Sequence, residues 1–291
     1  MNKINVFCFG YGQVAKSFIK KLRLENFDIN LSTTSRNKTH INKFDSLTYD
    51  SFQFDGDYFD NKLIEKLDKS DYILVSIPPR DRTDLVIKNF SSIIKNSNAK
   101  WITYLSSTSV YGNHKGGWVN EKSETRPVSP NGIDRLSAEK LWFSLYSNNR
   151  MPLQIFRLSG IYSNKNNILV RLKNRTAKIV NKKNSFFSRI HVDDIANILF
   201  ESLSKFKSGE IYNISDDKPS SSEEVTLYVV KLLNIDKPKI IEVKDIESKM
   251  LKNFYKDSKK VSNNKMKKFF KYDLKFPSYI EGLKYISNNF I

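Results

Sequence analysis

The feature that most constrains this chain is its first fifteen residues, which combine a short apolar run, a glycine turn and the start of an amphipathic segment. The apolar run from Ile4 to Phe9 is too short for a helix and suits a buried parallel strand. Val14, Phe18 and Leu22 then recur at four-residue spacing, which is typical of a helix packed on a sheet. Between the two segments lies a G-x-G-x-x-A pattern made of Gly10, Tyr11, Gly12, Gln13, Val14 and Ala15.

The small residues of this pattern have mechanical roles in binding a dinucleotide. Gly10 permits a tight turn, Gly12 lets the backbone approach a pyrophosphate, and Ala15 allows close packing of helix and strand. The start of the helix presents N–H groups and the positive end of its dipole to the same pyrophosphate. We therefore predict that Gly10–Val14 forms part of a dinucleotide site.

Composition limits the class of protein. The 291-residue chain is 39% hydrophobic with 20 Phe and 14 Tyr, which is enough for a sizeable core. No apolar run reaches the roughly 20 residues of a membrane span, and the glycines interrupt the one candidate signal-peptide run. The single cysteine, Cys8, excludes an internal disulfide. We expect a cytoplasmic protein without a membrane partner.

The net charge of +18 raises the question of nucleic-acid binding. The 49 Lys and Arg residues are spread along the chain among many Asn residues, a pattern typical of a solvated surface. The densest basic clusters, around residues 165–183 and 256–268, would equally suit an anionic small molecule. We expect a small-molecule substrate, no nucleic-acid partner and, because no His/Cys/acid spacing is present, no metal site.

The end of the predicted second strand, over residues 29–34, bears on the choice of cofactor. Folds that prefer NAD usually place an acidic residue here, which accepts the ribose 2′-hydroxyl. This chain has Ser35 and Arg36 instead, and a guanidinium group forks onto a phosphate. The pattern predicts NADP rather than NAD, the alternative being that Arg36 is only a surface residue.

The following elements alternate strand and helix. They are predicted as a strand over 51–54, a helix over 60–69, a strand over 72–79, a helix over 83–95 and a strand over 101–105. Because no run of consecutive strands interrupts this order, it indicates a parallel sheet covered on both faces. Asp55 could bond an adenine amine, and Ile77 and Pro78 lie where such a sheet lines its ligand crevice.

With Gly10–Ala15 and the segment Ser107–Gly112, the chain resembles the extended short-chain dehydrogenase/reductase family, which includes nucleotide-sugar epimerases and dehydratases. The resemblance covers nearly the whole chain and includes residues 157–162, 189–194 and 209–215. Ser76–Pro79 and Tyr255–Asn263 look like an atypical branch of the family described only as epimerase-like. The resemblance implies an α/β fold, a doubly wound parallel sheet (Rossmann) with a smaller C-terminal substrate-binding part.

The expected division places a dinucleotide-binding Rossmann domain in residues 1–158, to which residues 186–206 return. Residues 159–291 form mainly the smaller substrate-side part, with helices over 227–233 and 279–286. The fold also allows a homodimer, which such proteins often form through the helix that carries Asn131.

The resemblance also indicates which residues would carry the chemistry. Family members have a Tyr general acid/base, beside a Ser or Thr hydroxyl, and a Lys four residues after the Tyr that holds the nicotinamide ribose. Ser107 matches the serine, but Asn131 stands where the Tyr belongs and Arg135 where the Lys belongs. Asn cannot exchange a proton near neutral pH, whereas Arg can still hold a ribose. Cofactor binding is therefore expected to survive without the usual proton relay.

Three residues could replace the missing acid/base. Tyr111 carries a phenol close to Ser107, His114 has a suitable pKa, and Asp134 is adjacent to Arg135. The alternatives are a packing role for Tyr111 and a surface position for His114, and the helix face disfavours Asp134. His114 and Arg189 are also candidates for substrate contact, while His191 is predicted to fasten a strand end or cap a helix.

Two functions compete on this evidence. The first is an NADP-dependent epimerase/dehydratase or reductase-like enzyme for a small, anionic carbonyl or sugar-nucleotide substrate, in which Ser107 polarises the carbonyl and Arg135 anchors the ribose. The second is a non-catalytic sensor that binds NADP(H), which the loss of the Tyr and Lys favours. The substrate, and the choice among reduction, epimerisation and dehydration, stay open.

Overall fold

The computed structural model describes residues 3–290, which fall into two compact units. The first unit contains the chain up to Ser106, together with Asp134–Arg157 and Ile195–Tyr212. The second contains Ser107–Ile133, Leu158–Asp194 and the chain from Asn213 onward. That residues 1–158 form the cofactor-binding domain, and residues 159–291 mainly the substrate-side part, stays a prediction.

The strands are β1 Ile4–Phe9, β2 Ile29–Ser35, β3 His40–Phe44, β4 Leu47–Gln53, β5 Tyr72–Val75, β6 Trp101–Ser107, β7 Trp118–Val119, β8 Leu153–Leu158, β9 Gly160–Tyr162, β10 Ile179–Asn181, β11 Arg189–His191, β12 Glu210–Ile214, β13 Ile240–Glu242 and β14 Lys260–Val261. The helices are α1 Gln13–Leu24, α2 Lys62–Asp68, α3 Leu85–Asn96, α4 Pro130–Asn149, α5 Ile168–Lys173, α6 Val192–Ser204, α7 Ser222–Leu233, α8 Lys249–Phe254, α9 Asn264–Phe270 and α10 Tyr279–Phe290. Short 3-10 helices span Thr108–Tyr111 and Val243–Asp245.

The central sheet has the strand order β12-β8-β6-β5-β1-β2-β4-β3, with the N-terminal strand inside it. Neighbouring strands from β6 through β5, β1 and β2 to β4 run parallel. Buried Phe7 and Phe9 share one hydrophobic cluster with Phe90 of α3 and Trp142 of α4. The predicted class, α/β with a large and mostly parallel sheet, is confirmed.

One prediction about this sheet is wrong, because three strands follow one another without an intervening helix. β3 pairs antiparallel with β4 through a two-residue turn at Asp45 and Ser46, whose φ angles are 45° and 65°. Two positive φ angles match the twist of a tight hairpin. Neither residue is glycine, so the sequence carries no strong turn signal, and β4 begins at Leu47 rather than at residue 51.

The second unit contains short parallel strand pairs, β7 with β14, β9 with β11 and β10 with β13. One of its hydrophobic clusters joins Val229 of α7 and Leu283 of α10 to Leu169 of α5. The helices predicted over 227–233 and 279–286 are confirmed as parts of α7 and α10. No helix in the part of the chain that the structure describes is both long and apolar enough to cross a membrane.

Candidate active site

A cleft of about 550 Å³ lies in the first unit at the carboxyl ends of β1, β2, β4 and β5. Seven of the predicted cofactor residues line it together: Gly10, Tyr11, Ser35, Arg36, Asp55, Ile77 and Pro78. They come from the ends of four separate strands, β1, β2, β4 and β5, as expected at the ligand crevice of a doubly wound sheet. Of the other predicted residues, Gly12 is the N-cap of α1 and Gln13 is its first residue. Val14, the second residue of α1, is buried.

The glycine turn has the geometry that its sequence predicts. Gly10 has a φ of 83°, and a Cβ atom there would lie 2.7 Å from Cγ2 of Ile77. At Gly12, by contrast, an added Cβ would meet nothing within 4 Å. Gly10 is therefore required by the backbone and its neighbours, whereas Gly12 keeps space open at the start of α1.

Polar contacts hold this turn from both neighbouring strands. The Gly10 N–H donates to the Thr34 hydroxyl at 2.9 Å, at the end of β2. The Ser76 hydroxyl, after β5, donates to the carbonyl oxygens of Phe9 and Gly10 at 2.9 and 3.1 Å. Neither Thr34 nor Ser76 is among the residues predicted from the sequence to hold the glycine turn.

The charged groups around the cleft are mostly cationic. Lys16, Arg36 and Arg80 line it, and Asp55 is the acidic residue among its lining. Asp55 Oδ1 accepts the backbone N–H groups of Asp57 and Tyr58 at 3.1 and 3.0 Å. These bonds lower the pKa of Asp55, because they stabilise its ionised form. This carboxylate is thus partly engaged by its own loop, and the excess of cations suits an anionic ligand.

These observations fit a bound dinucleotide. The open space at Gly12 can admit a pyrophosphate, and α1 has neither a side-chain cap at Gly12 nor an acidic residue in its first turn. Its N-terminus therefore keeps backbone N–H groups and a positive dipole end directed at that space. Among residues 3–290, no group of three or more His, Cys, Asp or Glu is arranged to hold a metal ion.

The predicted catalytic serine stands where β6 gives way to a 3-10 helix in the second unit. Ser107 is the N-cap of that helix, and its Oγ accepts the N–H of Ser109 at 3.1 Å. Ser107 is half-buried. A hydroxyl that accepts one hydrogen bond keeps its own proton to donate, which is what polarising a carbonyl requires.

Tyr111 and His114 are both engaged in local structure. The Tyr111 phenol is fully buried and donates to Oδ1 of Asn213 at 2.7 Å. Nε2 of His114 lies 3.1 Å from the Tyr111 carbonyl oxygen and 3.2 Å from that of Glu124. This geometry favours the packing role that the sequence left open for Tyr111, and gives His114 a role in fastening its loop.

The two positions predicted to stand in place of the family's Tyr and Lys lie on α4. Asn131 is exposed at the start of the helix. Arg135 is half-buried, and its Nη1 donates to the carbonyl oxygen of Leu105 at 2.5 Å and to the Tyr104 hydroxyl at 3.2 Å. Nη1 of Arg135 is therefore hydrogen-bonded to two residues near the end of β6. Asp134 accepts the backbone N–H of Arg82 at 2.8 Å and is tied to that loop.

A buried ion pair that the sequence analysis did not identify joins α4 to β8. Nη2 of Arg157 lies 2.7 Å from Oε2 of Glu139, and both side chains are at most 5% exposed. The hydroxyl of Ser106 also donates to Glu139, at 2.6 Å. Within the first unit, this network joins the end of β6 and β8 to α4, next in sequence to Ser107 and one helical turn beyond Arg135.

The remaining predicted residues lie in the second unit. Nη1 of Arg189 donates to the carbonyl oxygens of Phe187 and Ser220, each at 3.0 Å. Burial lowers the pKa of Arg189, and the nearby carboxyl of Asp216 opposes that shift. His191 accepts the N–H of Asp193 at 3.1 Å at the start of α6, so its predicted capping role is confirmed. Burial lowers the pKa of His191 to about 4.

The structure adds cleft residues that strand-end reasoning missed. The added polar lining residues include His40 and Asn42 of β3 and Tyr49 and Ser51 of β4. They were missed because the hairpin was not predicted. The side chains of residues 40–44 are mostly exposed, so this strand has no buried apolar face. Its sequence therefore lacks the apolar pattern by which a strand is predicted.

Comparison with known families and relatives gives two matches to part of the chain. Residues 86–215 match the model of the NAD dependent epimerase/dehydratase family. A curated dTDP-D-glucose 4,6-dehydratase from Dictyostelium discoideum is 27% identical over an alignment of 157 residues. The alignment covers 47% of this chain. The match spans 36% of that protein's length.

Solved structures match along almost the whole chain. A functionally unknown conserved protein from Silicibacter pomeroyi is 27% identical, covers 99% of both chains and has a TM-score of 0.86. A dTDP-glucose 4,6-dehydratase from Bacillus anthracis in complex with NAD has a TM-score of 0.78 at 18% identity, covering 98% of this chain and 97% of its own. A UDP-glucuronic acid 4-epimerase from Bacillus cereus in complex with NAD has a TM-score of 0.75 at 17% identity, covering 99% of each chain.

The two enzymes from Bacillus share the fold with this chain, and the family model adds a sequence match to its central part. The resemblance predicted from the sequence is thereby confirmed. The protein has the fold of the extended short-chain dehydrogenase/reductase epimerases and dehydratases, and its residues 86–215 match the model of the NAD dependent epimerase/dehydratase family.

Proposed function

We propose that the protein is a nicotinamide-dinucleotide-dependent enzyme of the epimerase/dehydratase type that acts on a sugar nucleotide. The observation that carries this proposal is the cleft in which the Gly10 turn, the end of β2 and the Ile77–Pro78 segment meet. The family match and the fold shared with NAD-bound epimerases and dehydratases support the reaction class. The predicted anionic substrate is consistent with the diphosphate of a sugar nucleotide.

The proposed roles follow from the groups that each residue presents. The bound nicotinamide would supply hydride transfer at a carbon that carries a hydroxyl or carbonyl. Ser107, whose Oγ accepts the Ser109 N–H, would donate a hydrogen bond to the substrate oxygen, and the proton gained or lost at that oxygen would be exchanged with solvent. Arg135 would hold the nicotinamide ribose, and Asn131 would contribute hydrogen bonds but no proton transfer.

Arg189 and His114 are proposed to meet the substrate. Arg189 keeps a permanent positive charge that can pair with phosphate, and the two carbonyl oxygens bound to its Nη1 fix its orientation. His114 holds the loop after the Ser107–Tyr111 segment. Replacing Arg189 by Lys should raise KM for a sugar nucleotide more than it lowers kcat, since Lys loses the fork geometry.

For the cofactor we propose NADP. Ser35 and Arg36 stand at the end of β2, where an NAD-preferring site would present an acid, and Arg80 adds positive charge to the cleft. The two enzymes from Bacillus named above are in complex with NAD, so this chain would differ from them at the ribose 2′ position.

Binding is tested by titrating the purified protein with NADPH and NADH and following cofactor fluorescence. We expect NADPH to bind about tenfold more tightly, a difference of ~1.4 kcal/mol. Arg36→Ala should remove most of that difference. Binding of neither dinucleotide would overturn the proposed function, and equal binding of both would overturn the choice of NADP.

Catalysis is tested by incubating the protein and cofactor with UDP-glucuronic acid and dTDP-glucose, and identifying products by mass spectrometry. Ser107→Ala should lower turnover by about a hundredfold, in the range of a positioned hydrogen-bond or proton donor. Ser109→Ala is the matched control, because it keeps the backbone N–H that Ser107 accepts. Equal turnover by both variants would remove Ser107 from the mechanism.

A second candidate, a non-catalytic NADP(H) sensor, is favoured by Asn131 and Arg135 standing in place of the proton relay. It predicts tight binding of NADPH and no conversion of any sugar nucleotide. The double variant Asn131→Tyr with Arg135→Lys separates the two functions. If it gains turnover that the natural chain lacks, the natural protein is a binding protein on an enzyme scaffold.

A further inference from the structure

We propose that the β3–β4 hairpin is a specificity element for the cofactor, in which the amide of Asn42, oriented by His40, contacts the phosphate on the adenosine 2′ carbon beside Ser35 and Arg36. The inference rests on the proposed dinucleotide function and deepens it. The hairpin would add a second recognition surface to Ser35 and Arg36 at the end of β2, which carry the proposed choice of NADP.

The hairpin presents one face to the cleft. His40 pairs across the ladder with Ser51, and Asn42 pairs with Tyr49. All four residues line the cleft. Ile41, between His40 and Asn42, points to the other side and is 72% exposed. The alternation of side chains along a strand therefore makes one side of the hairpin a wall of the site.

Aromatic packing holds this wall against the glycine turn. The ring of Tyr11, inside the G-x-G segment, lies 4.9 Å from the ring of Tyr49 and 5.9 Å from that of Phe44. The hairpin is thus packed on the residue between the two glycines. With the pyrophosphate at that turn and the adenosine ribose at the end of β2, the 2′ position falls between β2 and the hairpin.

The groups on the wall suit a phosphate. Nδ1 of His40 lies 2.8 Å from the Lys38 carbonyl oxygen, and Nε2 lies 3.2 Å from the amide nitrogen of Asn42. These contacts hold the imidazole and the amide together as a pair. With Nδ1–H of His40 donating to the carbonyl oxygen, Nε2 accepts one N–H of the Asn42 amide and orients that group. The second amide N–H of Asn42 is a donor that a phosphate oxygen accepts, and Arg36 supplies the neighbouring charge.

The experiment compares ligands that differ in the 2′-phosphate. Adenosine 2′,5′-bisphosphate and 5′-AMP are titrated by calorimetry into the full-length protein, alongside NADP and NAD. His40→Ala and Asn42→Ala should each weaken adenosine 2′,5′-bisphosphate and NADP about fivefold or more, the effect of a lost hydrogen bond to a charged group. Both variants should leave 5′-AMP and NAD within about twofold of the natural protein.

Lys43→Ala is the matched control. Lys43 is the next residue of the same strand and carries a positive charge, but it does not line the cleft. Its replacement should leave all four affinities within about twofold, which separates a specific contact from a general loss of charge. Thermal unfolding of each variant shows whether the hairpin is intact.

The outcomes distinguish this inference from the proposed function. If the natural protein binds no dinucleotide, the proposed function fails. If it binds NADP while folded His40→Ala and Asn42→Ala proteins bind all four ligands unchanged, the hairpin has no part in selection and this inference alone fails. An equal loss for NADP and NAD would also overturn it, since the contact would then not involve the 2′-phosphate.

Discussion

The backbone N–H of Gly10 donates a hydrogen bond of 2.9 Å to the hydroxyl of Thr34, which joins the glycine turn after β1 to the end of β2. The residues that follow Thr34 are Ser35 and Arg36, the proposed contacts of the adenosine ribose. This bond extends the β1–β2 ladder by one contact and holds the glycine turn beside the end of β2. Buried Thr34 is 2% exposed, so water does not compete for this contact.

Replacing Thr34 by Val should weaken dinucleotide binding and destabilise the fold. The change keeps the side-chain shape but leaves the Gly10 N–H without its acceptor, which costs about 1–3 kcal/mol. We expect a lower free energy of unfolding in urea and a several-fold higher Kd for NADPH. Thr33→Val is the matched control, because the Thr33 hydroxyl makes a long contact of 3.4 Å to Asp50 and does not touch the turn. Equal effects of the two changes would contradict this role of Thr34.

The two glycines of the turn should respond differently to alanine. At Gly10 the φ of 83° and the 2.7 Å approach to Ile77 Cγ2 predict a destabilisation of about 2–3 kcal/mol for Gly10→Ala. Gly12→Ala meets no neighbour within 4 Å, so the variant should unfold at nearly the natural temperature. Its methyl group would occupy the phosphate space, and NADPH binding should fall by at least tenfold. A Gly12→Ala protein that binds NADPH normally would remove the pyrophosphate from this position.

The buried pair of Glu139 and Arg157 should be the costliest to break of the ion pairs described. Glu139→Ala leaves a buried guanidinium without its partner and should lower the free energy of unfolding by about 3–5 kcal/mol. Glu65→Ala, in the exposed Glu65–Lys69 pair of α2, is the comparison and should leave the urea midpoint essentially unchanged. If the double variant Glu139→Leu with Arg157→Met is as unstable as Glu139→Ala, the uncompensated charge is not the cause.

The stability of the second unit should depend on pH through His191. Burial, opposed by Asp193 and aided by Lys275, lowers the pKa of His191 to about 4, below its ordinary 6.5. The unfolded chain therefore binds the proton first as the pH falls, and stability is lost between about pH 7 and pH 4. Burial raises the pKa of Asp194 and Asp216, which acts in the opposite direction, so a difference between variants is needed.

The relevant measurement is thermal and urea unfolding of the natural protein and of His191→Gln at pH 7.5 and pH 5.5. The natural protein should lose about 1 kcal/mol more than the variant over this interval. Parallel pH profiles for the two proteins would show that His191 does not titrate differently in the folded and unfolded states.

Local sequence patterns were sufficient for the elements whose packing they express directly. The apolar run Ile4–Phe9, the stripe of Val14, Phe18 and Leu22, and the two C-terminal helices all match the structure. These segments bury one continuous face or both faces, so their period survives in the sequence. Strand β3 escaped prediction because its side chains are mostly exposed and the turn that joins it to β4 lacks glycine.

The sequence by itself determined the α/β class and the glycine turn, because both are expressed in consecutive or helically spaced residues. That Asn131 and Arg135 replace the expected Tyr and Lys stays a prediction. The tertiary structure decided which strand ends share one cleft and that Thr34 accepts the hydrogen bond of the Gly10 N–H. It also decided that His40 and Asn42 line the same cleft as Arg36. Those contacts join residues from different strands of the sheet. Their positions depend on strand order and register, and no local pattern of residues encodes either one.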